Sequence, residues 1–129
     1  MKDVKVILLS DLTGTGWVEV PNSYVPPAFI SGSKIFLRRT VFSWEARILC
    51  KGVATSTSGS AASKFLPPLW QPDFDIQIIL HGNTRQIGRL WISPSGQIVY
   101  TGTNLTAANE PIGYVFARTD KAYPTEKPT

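Results

Sequence analysis

Ile87-Gly-Arg-Leu-Trp-Ile-Ser-Pro-Ser-Gly-Gln-Ile-Val-Tyr100 decides the fold. Leu90, Ile92, Ile98 and Tyr100 fall on alternate positions, so they share one face of a pleated sheet. Arg89, Trp91, Gln97 and Val99 point the other way. Between the two runs stands Ser93-Pro94-Ser95-Gly96. Pro94 pre-sets φ for the second turn position, and Gly96 can take the positive φ that a following bulge requires. The stretch therefore predicts a β-hairpin whose alternate residues face a core.

Outward from this hairpin the same period recurs. Residues 4–9 form a short apolar run, expected as a first strand and joined to the rest by a turn-rich link, so that residues 1–15 make an N-terminal strand and link. Trp17-Val-Glu-Val20 alternates up to Pro21. Residues 34–42 and 45–54 read as two further strands. In the first, Phe36 and Arg38 share one side, and Ile35, Leu37, Arg39 and Val41 the other. Asp75-Ile-Gln-Ile-Ile-Leu80 and Ile112-Gly-Tyr-Val-Phe-Ala117 complete the set. Residues 55–63, Thr-Ser-Thr-Ser-Gly-Ser-Ala-Ala-Ser, are expected as an exposed, mobile loop. Residues 101–111 read as a polar loop, and residues 119–129, with Pro124 and Pro128, as a flexible tail. No segment keeps a helical period. Strands at roughly ten-residue spacing predict a single all-β domain over residues 1–129, an antiparallel β-sandwich or jelly roll with little or no helix.

The composition narrows function by exclusion. The 129 residues suit one domain, and 43% hydrophobic with 11% aromatic content suits a packed core. The net charge of +4 is spread along the chain, with Arg38-Arg39 the one pair among the central residues, which speaks for solubility rather than nucleic-acid binding. A single cysteine, Cys50, precludes an internal disulfide and reads as a buried thiol. The apolar run near the N-terminus is too short for a signal peptide or membrane span, so neither membrane insertion nor a secretory route is expected. One His and one Cys leave no basis for a zinc site, and Asp73 with Asp75 is a thin basis for calcium. No cofactor is expected: the phosphate-cradling glycine patterns are absent. No serine sits on a strand-to-helix elbow to work with His81, and the acidic residues offer no pair at recognisable spacing. The chain is accordingly expected not to be an enzyme.

Binding has better support. Sugars are held by aromatic rings against their C–H faces and by planar polar groups on their hydroxyls. Segments expected as loops carry Tyr24, Trp44, Trp70, Asp73, His81, Asn83, Arg85, Asn104 and Asn109. The expected site joins the proline-rich segment from Leu66 to Asp75 with the turn from His81 to Arg85. Trp70 serves as apolar platform, and Asp73, His81, Asn83 and Arg85 as polar contacts, Arg85 being suited to a phosphate. Apolar residues on both faces of several strands, among them Phe36, Trp91, Val99 and Val115, predict self-association in a closed cyclic ring, expected as a trimer.

Four motifs in order carry a resemblance: Gly16-Trp-Val-Glu-Val20, Arg47-Ile-Leu-Cys-Lys-Gly-Val53, Phe65-Leu-Pro67 with Pro72 downstream, and Gly88-Arg-Leu-Trp-Ile-Ser-Pro-Ser-Gly-Gln-Ile98. Together they resemble the C-terminal domains of tail proteins from phages of Gram-positive bacteria. Pro67-Pro68-Leu69-Trp70 stands where that pattern has a shorter, glycine-containing link, and the long stem usual before such a domain is not in this sequence. The resemblance implies a compact antiparallel β domain, often trimeric, in which Trp17, Leu90, Ile92, Gly96 and Ile98 are fold residues. It further implies a virion protein made in the host cytoplasm, a receptor-binding or adhesion domain that recognises host cell-wall saccharide. The alternatives are a structural or decoration module docking on other virion proteins, and a glycan hydrolase domain.

Overall fold

A computed structural model describes residues 14–83, 85–106 and 111–129. The expected strand over residues 4–9 lies outside them, as does Asn109. Among the described residues eight strands form two antiparallel four-stranded sheets. The first holds β1 (Val18–Glu19), β2 (Lys34–Arg39), β3 (Ser43–Leu49) and β8 (Ile112–Arg118), in that spatial order. The second runs β4 (Thr57–Ala61), β7 (Ile98–Gly102), β6 (Ile87–Ile92), β5 (Ile76–His81). Helix among the described residues is limited to two 3-10 turns, Asn22–Tyr24 and Pro68–Trp70. The chain is an all-β sandwich, as the alternation requires.

The β6–β7 hairpin is in the expected register. Leu90 faces Tyr100 and Ile92 faces Ile98 across the ladder, and all four are fully buried. Gly96 adopts φ +88°, and its amide bonds back to the Ser93 carbonyl at 2.8 Å, closing the turn. β5 alternates buried and exposed along its whole length, presenting Ile76, Ile78 and Leu80 to the same interior. The opposing sheet contributes Ile35, Leu37, Trp44, Ala46 and Ile48. Each such Leu or Ile contributes about 1.5–3 kcal/mol on leaving water, so these two inner faces carry the fold. Two close approaches tighten them. A Cβ on Gly88 would run into the Tyr100 ring, and one on Gly113 into Ile78.

Several boundaries differ from the sequence reading, each for a local reason. β2 stops at Arg39 rather than residue 42, because the Thr40 and Ser43 hydroxyls meet at 2.6 Å and the Thr40 hydroxyl accepts the Ser43 amide, turning the chain into β3. β3 ends at Leu49 rather than reaching residue 54: Gly52 takes φ +142°, and Val53 forms only isolated bridges to Phe29 and Leu105. The stretch over residues 55–63 is not a free loop. It contains β4, an edge strand on β7 with Ser60 opposite Tyr100 and Ala61 opposite Val99, while the Ser60 hydroxyl accepts the Ala28 amide at 2.9 Å.

The largest departure is at the C-terminus. Residues 119–129, expected as a flexible tail, lie against the body as a strap. The Arg39 guanidinium, fully buried on the inner side of β2, donates to the carbonyls of Ser43, Leu69, Lys121 and Ala122. A buried cation needs its donors filled, and the strap supplies two of the acceptors. Further along, the Trp70 indole donates to the Glu126 carbonyl at 2.8 Å. The Tyr24 hydroxyl and the Lys64 ammonium both reach the main-chain oxygen of Thr129, at 2.8 and 3.0 Å.

Candidate functional site: the aromatic outer face and the β5–β6 turn

The five residues expected to form one site are divided by the fold. Trp70 and Asp73 precede β5, whereas His81 ends it and Asn83 and Arg85 follow; the intervening six-residue strand spans about 20 Å. Trp70 is 2% exposed, too deeply placed to serve as an open platform. Its backbone carbonyl accepts the indole N–H of the fully buried Trp44 at 2.7 Å, so Trp44 is likewise a core residue of β3 rather than a loop contact. Tyr24 is buried too.

Asp73 is occupied by the strap. It accepts the Thr119 hydroxyl at 2.9 Å and the Asp120 amide at 3.2 Å, and pairs with the Lys121 ammonium at 3.3 Å. Burial alone would raise its carboxyl, but these hydrogen bonds and the lysine charge outweigh it and hold the carboxyl below its ordinary value. Lys121 also donates to the carbonyls of Gln71 and Pro72.

His81, Asn83 and Arg85 are exposed together at the β5–β6 turn. Arg85 holds φ +63°, the one non-glycine residue in the left-handed region among the described residues. The turn is closed by Gly82 and Gln86 amides bonding to the Gln86 and Asn83 carbonyls, at 3.0 and 2.9 Å. Asn104 is exposed nearby in sequence order after β7, its amide on the Ser56 hydroxyl.

The most organised exposed surface lies elsewhere, on the outer face of the first sheet. Ile112, Tyr114 and Phe116 alternate along the outer side of β8 and are 63%, 55% and 56% exposed. Across the ladder they stand opposite Leu49, Arg47 and Glu45. Glu45 in turn faces Arg38 on β2, which grips it with two hydrogen bonds at 2.6 and 2.9 Å. The Tyr114 hydroxyl donates to the same carboxylate at 2.5 Å. Trp17, just ahead of β1, lies over the Arg38 guanidinium at 4.8 Å and meets the Tyr114 ring edge-on at 6.2 Å. Burial works to raise the Glu45 carboxyl, but the Arg38 and Tyr114 hydrogen bonds overcome it and keep it below the ordinary carboxylate value. The cluster is thus a fixed, charge-satisfied platform with rigid aromatic edges, bordered by an exposed apolar row.

The sequence reading placed Trp17 among the fold residues and did not single out Tyr114. The signal available was the alternation of Ile112, Tyr114 and Phe116, whose large side chains share one side of the strand opposite Gly113, Val115 and Ala117. Its meaning depended on knowing that β8 packs through Gly113 against Ile78 and Leu80, which leaves the bulky side outward. Cys50 is buried, and that burial raises its thiol above the ordinary value. Among the described residues no three His, Cys, Asp or Glu side chains gather as a metal site would need.

With this geometry in hand, the class is an antiparallel β-sandwich with an exposed aromatic face. No protein-family model matches the chain, and no curated protein matches it in sequence.

Proposed function

We propose that this chain is a non-enzymatic module of a phage particle that associates with copies of itself, as a homotrimer, through the outer face of the first sheet. The observation that carries the self-association is the row Ile112, Tyr114, Phe116, each more than half exposed on one side of a strand; the phage assignment rests on the resemblance of the four sequence motifs. Soluble sandwiches keep such a face polar, and contiguous exposed apolar rows mark interfaces. Interface cores favour Tyr, Trp, Phe and Arg, the residue types brought together by Tyr114, Trp17, Phe116 and Arg38. The satisfied Arg38–Glu45 pair enters such an interface without an unpaired charge.

Receptor binding belongs to the same proposal at the β5–β6 turn. His81, Asn83 and Arg85 offer planar and cationic groups for the hydroxyl or phosphate groups of a cell-wall saccharide, with Ile87, 45% exposed and opposite His81, as the nearby apolar surface. A second reading, a structural module docking on other virion proteins, is favoured by the fact that Trp70 and Asp73 are consumed by internal contacts, which leaves the turn without an aromatic ring of its own. A binding screen of wild-type chain and Arg85→Ala against cell-wall saccharide separates the two. Saturable binding weakened by the substitution supports the receptor reading; no binding leaves the docking reading. Release of reducing sugar from the same material would overturn both.

A further inference from the structure

We propose that the groove holding the C-terminal strap is a docking site for the proline-bearing segment from Ala122 to Thr129, and that it takes the same segment of a second copy of this chain in exchange for its own. The inference rests on how the strap is held. From Lys121 to Thr129 five hydrogen bonds from side chains of the body end on main-chain oxygens: Lys121 and Ala122 accept from Arg39, Glu126 from Trp70, and Thr129 from Tyr24 and Lys64. An indole N–H, a phenol and cationic side chains thus donate to main-chain oxygens of a segment whose Pro124 and Pro128 are buried.

Such recognition ignores which molecule the backbone belongs to, so a second copy's segment fits as well as the chain's own. Clefts of ≈ 370 and ≈ 230 Å³ flank the strap, the first lined by Pro67, Pro68, Leu69 and Trp70 on the body side, the second by Thr15, Val18 and Trp70. Its root holds it separately from the groove: Lys121 bonds to Asp73, Gln71 and Pro72, and Thr119 to Asp73. Weakening the root loosens the strap's hold on the groove and leaves the groove's donors intact. Exchange of an identical segment is a low-cost route to association.

The test uses the full chain and a labelled peptide of residues 122–129, read by fluorescence anisotropy. The peptide carries the Ala122, Glu126 and Thr129 main-chain oxygens but none of the root. Lys121→Met removes root contacts only, so it lowers the effective competition from the chain's own strap. The expected result is saturable binding at least about 5-fold tighter than to wild type, weakened about 3- to 10-fold by adding Tyr24→Phe, the loss typical of one hydrogen bond. Asp73→Ala provides the same arm if Lys121→Met does not fold. For exchange between full chains, Ile112→Ser with Phe116→Ser is added to remove the outer-face contact. Immobilised Lys121→Met chain of that background should then retain a tagged second copy and release it on addition of the free peptide. A folded root variant that shows no saturable peptide binding, binding that Tyr24→Phe leaves unchanged, or no peptide-releasable second copy overturns the proposal.

Discussion

Trp70 hands its indole N–H to the carbonyl of Glu126, 56 residues further along the chain, at 2.8 Å. The ring that the sequence offers as a surface platform is a peg, and the C-terminal strap hangs on it. Its own carbonyl takes the Trp44 indole, so a line of two tryptophans runs from the centre of β3 to the strap.

Trp70→Ala should therefore be a stability mutation. Removing a buried aromatic of this size costs about 3–5 kcal/mol, and the Glu126 carbonyl loses its donor as well. Thermal or urea unfolding checks this. A loss below 1 kcal/mol would mean that Trp70 is not packed as described.

Glu45 makes the outer face sensitive to acid. Its folded carboxyl sits below its ordinary value, so the pair with Arg38 contributes stability at pH above about 4.5, and that stability is lost as pH falls through the folded pKa. Glu45→Gln should lower stability at pH 7 by roughly 1–3 kcal/mol and should flatten the acid limb of the stability curve. Unfolding midpoints measured between pH 3 and 7 for both proteins test it; parallel curves would contradict it.

Tyr100 predicts the opposite limb. Its side chain is fully buried and its hydroxyl donates to the Thr103 carbonyl at 2.6 Å. Burial pushes its pKa up to about 12, with the nearby Cys50 thiol adding to the effect. A group whose folded value is raised stabilises fully below its unfolded value near 10, and that contribution is lost as pH rises from about 10 to about 12. Chemical denaturation in that window should show a steep loss of stability, about 2 kcal/mol of which disappears in Tyr100→Phe.

Gly88→Ala probes the β6–β7 packing directly. The added methyl meets the Tyr100 ring with nowhere to go, since the ring is fully buried. Overpacking of this kind costs about 1–3 kcal/mol, measurable as a lowered unfolding midpoint. An unchanged midpoint would place Tyr100 elsewhere.

The sequence made the second sheet legible because its strands alternate cleanly: Ile76, Ile78 and Leu80 on β5, Leu90 and Ile92 on β6, and Ile98 and Tyr100 on β7 each have polar or exposed neighbours. β4 was illegible because Thr-Ser-Gly-Ser-Ala carries neither apolar alternation nor bulky β-formers; it is a strand by virtue of β7 beside it. The strap was missed for a related reason. Beyond Lys121 it is held at its main-chain oxygens, which every residue has, and its side chains look like those of a loose end. The candidate site was half legible. His81, Asn83 and Arg85 do share an exposed turn, but the length of β5 separates them from Asp73 and Trp70. The Glu45 cluster draws on Trp17, Arg38 and Tyr114 from three distant stretches, and only strand order brings them together.

The central claim, that the Ile112–Tyr114–Phe116 face joins copies of this chain, is tested most directly by solution mass. Light scattering on wild-type chain at tens of micromolar should give three times the 14.2 kDa chain mass, and the double variant Ile112→Ser, Phe116→Ser should fall below that mass with its circular dichroism spectrum unchanged. A wild-type mass of 14.2 kDa, or a double variant that keeps the wild-type mass, would contradict it.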